Sequence, residues 1–521
     1  MNSGQPKDWL WQPSLIVFIS NACVMVVELV AGRIVAPFIG VSLYTWTTII
    51  GVILAGMSIG NFVGGKLADK YASRRLLGML FILAGLGSIS VLIMVSLLGE
   101  KGLMSAFSGM PLIARMVFYI SAMFLIPSIL LGTISPLVVK LSLQDLSKSG
   151  NLIGRIYAMS ALGSILGTFA TGFYLIQWFG TRSILLGVGV LLVVMGILLG
   201  QWTRNRGAMA RSAVMSMIVS TGIIASFVLT PAQTIMASPC YRETNYFCIR
   251  VRADDYEGTT YQVLTLDRLV HSYTAIDDPS KLRYAYEWIG AEVLDYMKSR
   301  YSSLNAMFIG GGGYTLPKYI EHVYPGAKVE VVEIDPGVTE TAYDRLGLAR
   351  NTPIVSHNED ARQFLVNREV QKKYNLIAGD AFNDFSVPYH LTTKEFNDLV
   401  QKNLSDDGIY MLNLIDGNDQ PFVGAFIRTL RQTFKYVYLV PTHSDWKSLV
   451  RSTFIVLASN KPLDITAFAK IDAGDGTPHV NVWLENEAVM NEITSKSTLI
   501  LTDNFVPTDQ LLMPMFEASA K

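Results

Sequence analysis

The chain runs in two hydropathic regimes. From Pro13 to about Ala237 long apolar runs dominate, and from about Ser238 onward charged residues and strand-like alternation appear at ordinary density. A hydrocarbon core about 30 Å thick needs about 20 apolar residues in a helix. Seven stretches reach that length: Ser14–Val35, Tyr44–Val63, Leu76–Leu98, Met116–Val139, Tyr157–Trp178, Ser183–Gln201 and Ala213–Pro231. They are apolar all round, whereas a soluble helix of this length is amphipathic. The pattern predicts an N-terminal all-α transmembrane bundle of about seven spans over residues 1–237. Small residues recur at helical spacing, at Gly51, Gly56 and Gly60 and again at Gly163 and Gly167, which lets helix backbones approach closely. Pro127 and Pro136 predict a kinked or broken fourth span.

Residues 238–521 read as a second, soluble domain. YFCIRVRADD and TTYQVLTLD are strand patterns, with Asp254, Asp255 and Gly258 supplying the turn of an N-terminal β-hairpin. A helical stretch follows at about Leu282–Met297. Strand-then-helix units come next: AMFIGGGG with YTLPKYIEHVY, KVEVVEID with PGVTETAYDRL, then IVSHNEDARQFL and YNLIAGDAF. This alternation predicts a C-terminal α/β domain with a parallel, doubly wound, Rossmann-like sheet.

Composition changes the picture little. Only 16% of the 521 residues are charged, against roughly 25% in a typical soluble domain. The formal net charge is zero, which gives no sign of a nucleic-acid partner. The opening MNSGQPKDWLWQP lacks the basic start and cleavage site of a signal peptide, so the first apolar stretch is expected to remain as an anchor. Loop charge sets orientation. One side collects Lys7, Lys66, Lys70, Arg74, Arg75, Lys140, Lys148, Arg204, Arg206 and Arg211, and the other collects Lys101 and Arg182, with Arg33 and Arg115 near span ends. The expectation is a multi-pass protein of the plasma (inner) membrane, with a cytoplasmic N-terminus and, after seven spans, an extracytoplasmic C-terminal domain. Cys240 and Cys248 then lie in an oxidising compartment and are expected to form a disulfide. No cysteine or histidine spacing suggests a metal site. Glu28 inside the first span, with Arg33 near its end, is read first as part of a structural polar network and second as a functional group.

The chemical signal lies at the strand ends. Gly310, Gly311, Gly312 and Gly313 follow one strand and allow backbone to approach a ligand. The next strand ends at Glu333 and Asp335, about 20 residues on, where a carboxylate can accept both hydroxyls of a ribose. Asp360 follows a third strand and Asp380 ends a fourth. Ligands of open α/β sheets bind outside these ends.

These residues carry a resemblance. The hairpin ETNYFCIRV and YQVLTLDRLVHS, then IGGGG, VEVVEID, EDAR and GDAFNDFSVP, resemble in order the spermidine synthase family, the polyamine aminopropyltransferases. ELVAGRIVAPFIGVSLYTWTTIIG and GNFVGGKLAD resemble the membrane half of fused, multi-span members. The resemblance implies a methyltransferase/spermidine synthase fold. It implies decarboxylated S-adenosylmethionine (or S-adenosylmethionine) as donor substrate, no prosthetic group, an amine such as putrescine as acceptor, and a bilayer around the N-terminal half. It leaves room for a homo-oligomer. By position, Glu333 matches the ribose-binding acid, Asp360, beside Ala361, the acid that reads the adenine amino group, the glycines the nucleoside loop, and Asp380 the general base. Asp384, His271, Tyr286 and Glu287 fall on the amine side. The chain also departs from the family: Gly313 replaces an aspartate near the donor's ammonium, and His271 replaces a glutamine. These departures keep open methyl transfer, which needs no acid at position 313. A polyamine or nucleoside transporter with a sensor domain stays open as well, on the strength of Glu28 and the prolines of the fourth span.

Overall fold

The computed structural model describes residues 12–98, 110–143, 149–200, 238–368, 373–381, 386–417, 419–468, 470–474, 476, 478–480 and 486–519. The chain divides into two compact units, Met1–Cys248 and Ile249–Lys521.

The first unit is helical: α1 (Gln12–Ile39), α2 (Leu43–Tyr71), α3 (Arg74–Leu98), α4 (Leu112–Gly132), α5 (Ile134–Ser142), α6 (Ser149–Ala170) and α7 (Ile176–Leu199). Five runs among the described residues are long and apolar enough to cross a membrane, where seven were expected. The expected fifth and sixth stretches are joined in one run, Ser149–Leu199, through a π-helical turn at Thr171–Leu175. Only four residues, Phe179–Arg182, separate the two stretches, too few for a polar loop. The run is instead broken at Gly180, whose φ of +70° suits a residue without a Cβ. The freed N-terminus beyond the break is capped: Thr181 N donates to Glu243 Oε2 at 2.8 Å. The expected seventh stretch, Ala213–Pro231, lies outside the described residues.

The fourth stretch is broken as its prolines predict. α4 ends at Gly132 and α5 begins at Ile134; the ring of Pro136 is incompatible with a continuous helix through the residue four before it. Of the small residues, Gly56, Gly60, Gly163 and Gly167 sit at helix crossings, whereas a Cβ on Gly51 would meet no described atom within 4 Å. A Cβ on Gly60 would fall 2.2 Å from Ile129 O, and one on Gly163 2.2 Å from Phe18 O. Backbones this close give the tight van der Waals packing that small residues permit. Arg33 of α1 donates to the carbonyls of Thr244, at 2.9 Å, and of Tyr246. It thereby pins the loop that a Cys240–Cys248 disulfide closes (Cα–Cα 5.2 Å). Glu243, on the short strand β1 (Arg242–Glu243), belongs to the same loop.

The second unit begins with an antiparallel meander of β2 (Cys248–Tyr256), β3 (Thr259–Leu266) and β4 (Leu269–Ala275), followed by α8 (Ala285–Lys298). Its larger sheet contains β5 (Asn305–Ile309), β6 (Lys328–Val332), β7 (Val355–His357), β8 (Tyr374–Gly379), β9 (Leu404–Asp416), β10 (Tyr436–Pro441) and β11 (Ser452–Ser459), in the order β10-β11-β9-β8-β5-β6-β7. The pairs among β5 to β9 are parallel, and β11 is antiparallel to both β9 and β10. Helices α9 (Thr315–Val323), α10 (Pro336–Arg345), α11 (Ala361–Asn367), α12 (Lys394–Asn403) and α13 (Pro421–Leu430) alternate with the strands. Consecutive residues of β5, β6 and β8 are buried, as expected of strands covered on both faces. The chain runs outward from β5 to β7 and then returns to the other side of β5. The reversal opens a crevice at the C-terminal ends of β5 and β8.

Candidate active site

The crevice is built from four strand ends. At the exit of β5, Gly310 N donates to Val332 O at 2.9 Å, and Asp380 N, at the exit of β8, donates to Ile309 O at 2.9 Å. The two loops are therefore seamed to one ladder. Gly310 has φ +95°, and a Cβ there would lie 2.4 Å from Asp380 O. Only glycine allows both this turn and this approach. Gly311 N donates to Glu333 Oε2 at 2.7 Å, and Asp335 N to Glu333 Oε1 at 2.9 Å. Glu333, 6% exposed, thus ties the glycine loop to the end of β6. Burial raises its proton affinity, and the backbone donors oppose that rise. Gly312 has φ +48°, and Gly313 closes the loop against Ser272 and Thr274 of β4.

Two of the expected acids have helix-capping duties. Asp335 Oδ1 accepts from Gly337 N at 2.8 Å and caps α10, with Pro336 at its first position. Asp360 Oδ1 accepts from Gln363 N at 3.0 Å and caps α11, whose first residue is the buried Ala361. The other oxygen of Asp360 lies 2.7 Å from His390 Nε2. Asp384 lies outside the described residues.

Around Asp380 the structure gathers Tyr286, Glu287, His271 and Asn413. Asn413 Nδ2 donates to Asp380 Oδ1 at 2.8 Å. The Tyr286 hydroxyl, which also bonds Asp380, lies 3.5 Å from His271 O. Burial pushes the Asp380 carboxyl above the ordinary range, with the two donors pulling the other way. Burial, then the neighbouring Asp380 and Glu287, pushes Tyr286 well above an ordinary tyrosine, so it stays a hydroxyl. Burial, with the Arg451 charge adding, pushes His271 down to about 4, so its ring is neutral at neutral pH. Asn413 was not singled out from the sequence. Its signal is a single amide in the apolar run YMLNLI of β9.

Glu287 is fully buried at the start of α8, and its Oε2 accepts from Tyr284 N at 3.0 Å and Arg283 N at 3.2 Å. Burial pushes it up to about 7 from an ordinary 4.5. Between those values the folded protein holds a proton that the unfolded chain has released, so stability falls as pH rises through that window. Glu287→Gln should make this slope shallower, leaving the contribution of Asp416, which burial also raises to about 7. Thermal melting of the purified protein from about pH 4.5 to 7 checks this. An unchanged slope would show that Glu287 does not gain a proton on folding.

The arrangement offers a glycine loop, a buried carboxylate at the exit of the neighbouring strand that accepts from that loop, and a second buried carboxyl of raised proton affinity. Among the described residues no cluster of three or more side chains is suited to a metal ion. No family model matches the chain. It is 24% identical over 462 residues to polyamine aminopropyltransferase 2 of Ralstonia nicotianae, covering 83% of this chain and 85% of that protein. It is 34% identical over 110 residues to a polyamine aminopropyltransferase of Vibrio vulnificus, spanning 20% of this chain and 36% of that one. It is also 35% identical over 135 residues to the N-terminal histidine N-methyltransferase of Emericella nidulans, 25% of this chain and 23% of that protein. Over most of its length, therefore, the chain resembles aminopropyltransferase-type enzymes.

Proposed function

We propose that the chain is a membrane-bound transferase that uses an S-adenosylmethionine-type donor, and specifically a polyamine aminopropyltransferase. The observation that carries this reading is Asp380. It is a buried carboxyl of raised proton affinity, held by Asn413 at the switch point and seamed to the glycine loop that Glu333 ties down. In the reaction the nitrogen of an amine such as putrescine attacks the donor carbon next to the sulfonium. A C–N bond forms, the C–S bond breaks, and its electron pair stays on sulfur as methylthioadenosine leaves. The amine must lose a proton to become a nucleophile, and Asp380 accepts it. Glu333 holds the ribose hydroxyls, Asp360 reads the adenine edge beside Ala361, and Tyr286, Glu287 and His271 line the amine side, the side to which the family resemblance also assigns Asp384.

The test is product analysis. Purified full-length protein is given decarboxylated S-adenosylmethionine with putrescine, and the amine product is identified by mass spectrometry. An aminopropylated product supports the reading, and its absence with active donor rejects it.

Methyl transfer is the second reading. Gly313 favours it, since a Cβ there would lie 2.0 Å from Ser272 Oγ, which leaves no room for an acid. The name of the Emericella nidulans relative favours it too. In that case S-adenosylhomocysteine, not methylthioadenosine, accumulates.

We read residues 1–237 as the membrane domain, with seven spans and a cytoplasmic N-terminus, and residues 238–521 as the catalytic domain on the other side of the membrane. The Cys240–Cys248 bond supports that side, because disulfides persist in oxidising compartments. Alkylating denatured membranes before reduction should leave both cysteines unlabelled. Full labelling would argue for a cytoplasmic domain. Removing the bond with Cys240→Ser should lower stability by about 2–3 kcal/mol, read as an earlier melting transition.

A further inference from the structure

We infer that Ser272, backed by Thr274, makes the donor site tolerant of a tail carboxylate, so that S-adenosylmethionine itself is a ligand alongside its decarboxylated form. This rests on the nucleoside-binding reading of the glycine loop.

Gly313 ends that loop, and its side-chain space is already filled. A Cβ there would meet Ser272 Oγ at 2.0 Å and Thr274 Oγ1 at 2.7 Å. No side chain, and so no acid, fits at this position while β4 keeps its place. The Thr274 hydroxyl is committed: it donates to Gly313 O at 3.4 Å and lies 3.1 Å from Thr315 Oγ1. Ser272 is 2% exposed, and its Oγ has no hydrogen-bond partner among the described residues. A buried hydroxyl left unpaired is costly, and a ligand group that pairs with it recovers that cost.

Its position says which part of a ligand would do so. Ser272 abuts the glycine loop on one side. On the other it follows His271, whose carbonyl lies 3.5 Å from the Tyr286 hydroxyl that bonds Asp380. Ser272 thus touches the glycine loop and adjoins the residue that contacts Tyr286, and on the nucleoside-binding reading the tail of an adenosyl donor runs from that loop toward Asp380. Burial raises the proton affinity of the nearby carboxyls Asp380 and Glu287, which lessens their repulsion of a tail carboxylate. Asp380 is engaged by Asn413, and Glu287 by the backbone amides of Arg283 and Tyr284. The positive charge of Arg451 reaches His271 and Tyr284. A tail carboxylate would accept from the Ser272 hydroxyl within a partly positive field.

Two ligands isolate the effect: S-adenosylhomocysteine, and S-adenosyl-3-thiopropylamine, which lacks only the carboxylate. Calorimetry on the full-length wild type should give affinities within about tenfold of each other. Ser272→Ala should weaken S-adenosylhomocysteine about tenfold and the thiopropylamine less. Gly313→Asp in a Ser272→Gly, Thr274→Ala background removes the three atoms nearest the new side chain, and should shift the ratio at least about tenfold against S-adenosylhomocysteine relative to the same background with Gly313 kept. A wild type that prefers the thiopropylamine by more than about tenfold, or an aspartate variant with an unchanged ratio, overturns the inference. If the wild type binds neither nucleoside, the reading of the glycine loop fails and this inference falls with it.

Discussion

Replacing Asp380 by asparagine should lower turnover by about 10²–10⁴-fold, the usual cost of losing a general base, while leaving methylthioadenosine affinity nearly unchanged. The amide keeps the shape of the side chain and can still meet Asn413, which donates to Asp380 at 2.8 Å. It cannot take a proton from the attacking amine. The wild-type pH profile should carry the same signature. The base works only when ionised, and burial raises its proton affinity. Activity should therefore climb with pH through a midpoint above the ordinary carboxylate range, and the limb should vanish in Asp380→Asn. Steady-state kinetics across pH decides this. Near-normal turnover in the variant would remove Asp380 from the mechanism.

Glu333→Gln should act on the other half of the site. Each oxygen of Glu333 accepts a backbone amide, from Gly311 at 2.7 Å and from Asp335 at 2.9 Å. A side-chain amide can accept through only one of its two heads. It turns an N–H toward one of those donors and loses the charge that favours ribose hydroxyls. A hydrogen bond to a charged group contributes about 1.5–3 kcal/mol, so methylthioadenosine should bind about ten- to a hundredfold more weakly. Calorimetry reads the affinity, and a melting curve separates weaker binding from a loosened loop. Unchanged affinity in a folded variant would take Glu333 out of the nucleoside site.

What the sequence revealed depended on how local each feature is. Glycines and acids at strand exits are local marks, and a parallel sheet brings such exits together. Gly310–Gly313, Glu333, Asp360 and Asp380 were therefore visible before any fold was known. Their local duties were less visible. Asp335 and Asp360 each head a helix whose second or third amide they accept, and nothing in an Asp-Pro or Asp-Ala pair alone separates a cap from a ligand-binding acid. Asn413 could not be found, because its meeting with Asp380 depends on β9 pairing beside β8, with Gly379 opposite Leu412. Ser272 was hidden for the same reason: it matters only because β4 reaches the glycine loop. In the N-terminal helical unit, apolar length marked the helices but not their joins. The break at Gly180 is one residue's φ, stabilised by Glu243 from 63 positions further along the chain. Arg33, visible as a charge at a span end, finds its carbonyl partners more than 200 residues away.

On the proposed function, the exits of β5, β6, β7 and β8 form one site for an adenosyl donor. The most direct test is an experimental structure of the full-length protein with methylthioadenosine bound. The ribose hydroxyls are expected within hydrogen-bond distance of Glu333, the adenine beside Asp360 and Ala361, and the sulfur facing Asp380 across Gly310–Gly313. A nucleoside seated elsewhere, or with its sulfur turned away from Asp380, would contradict it.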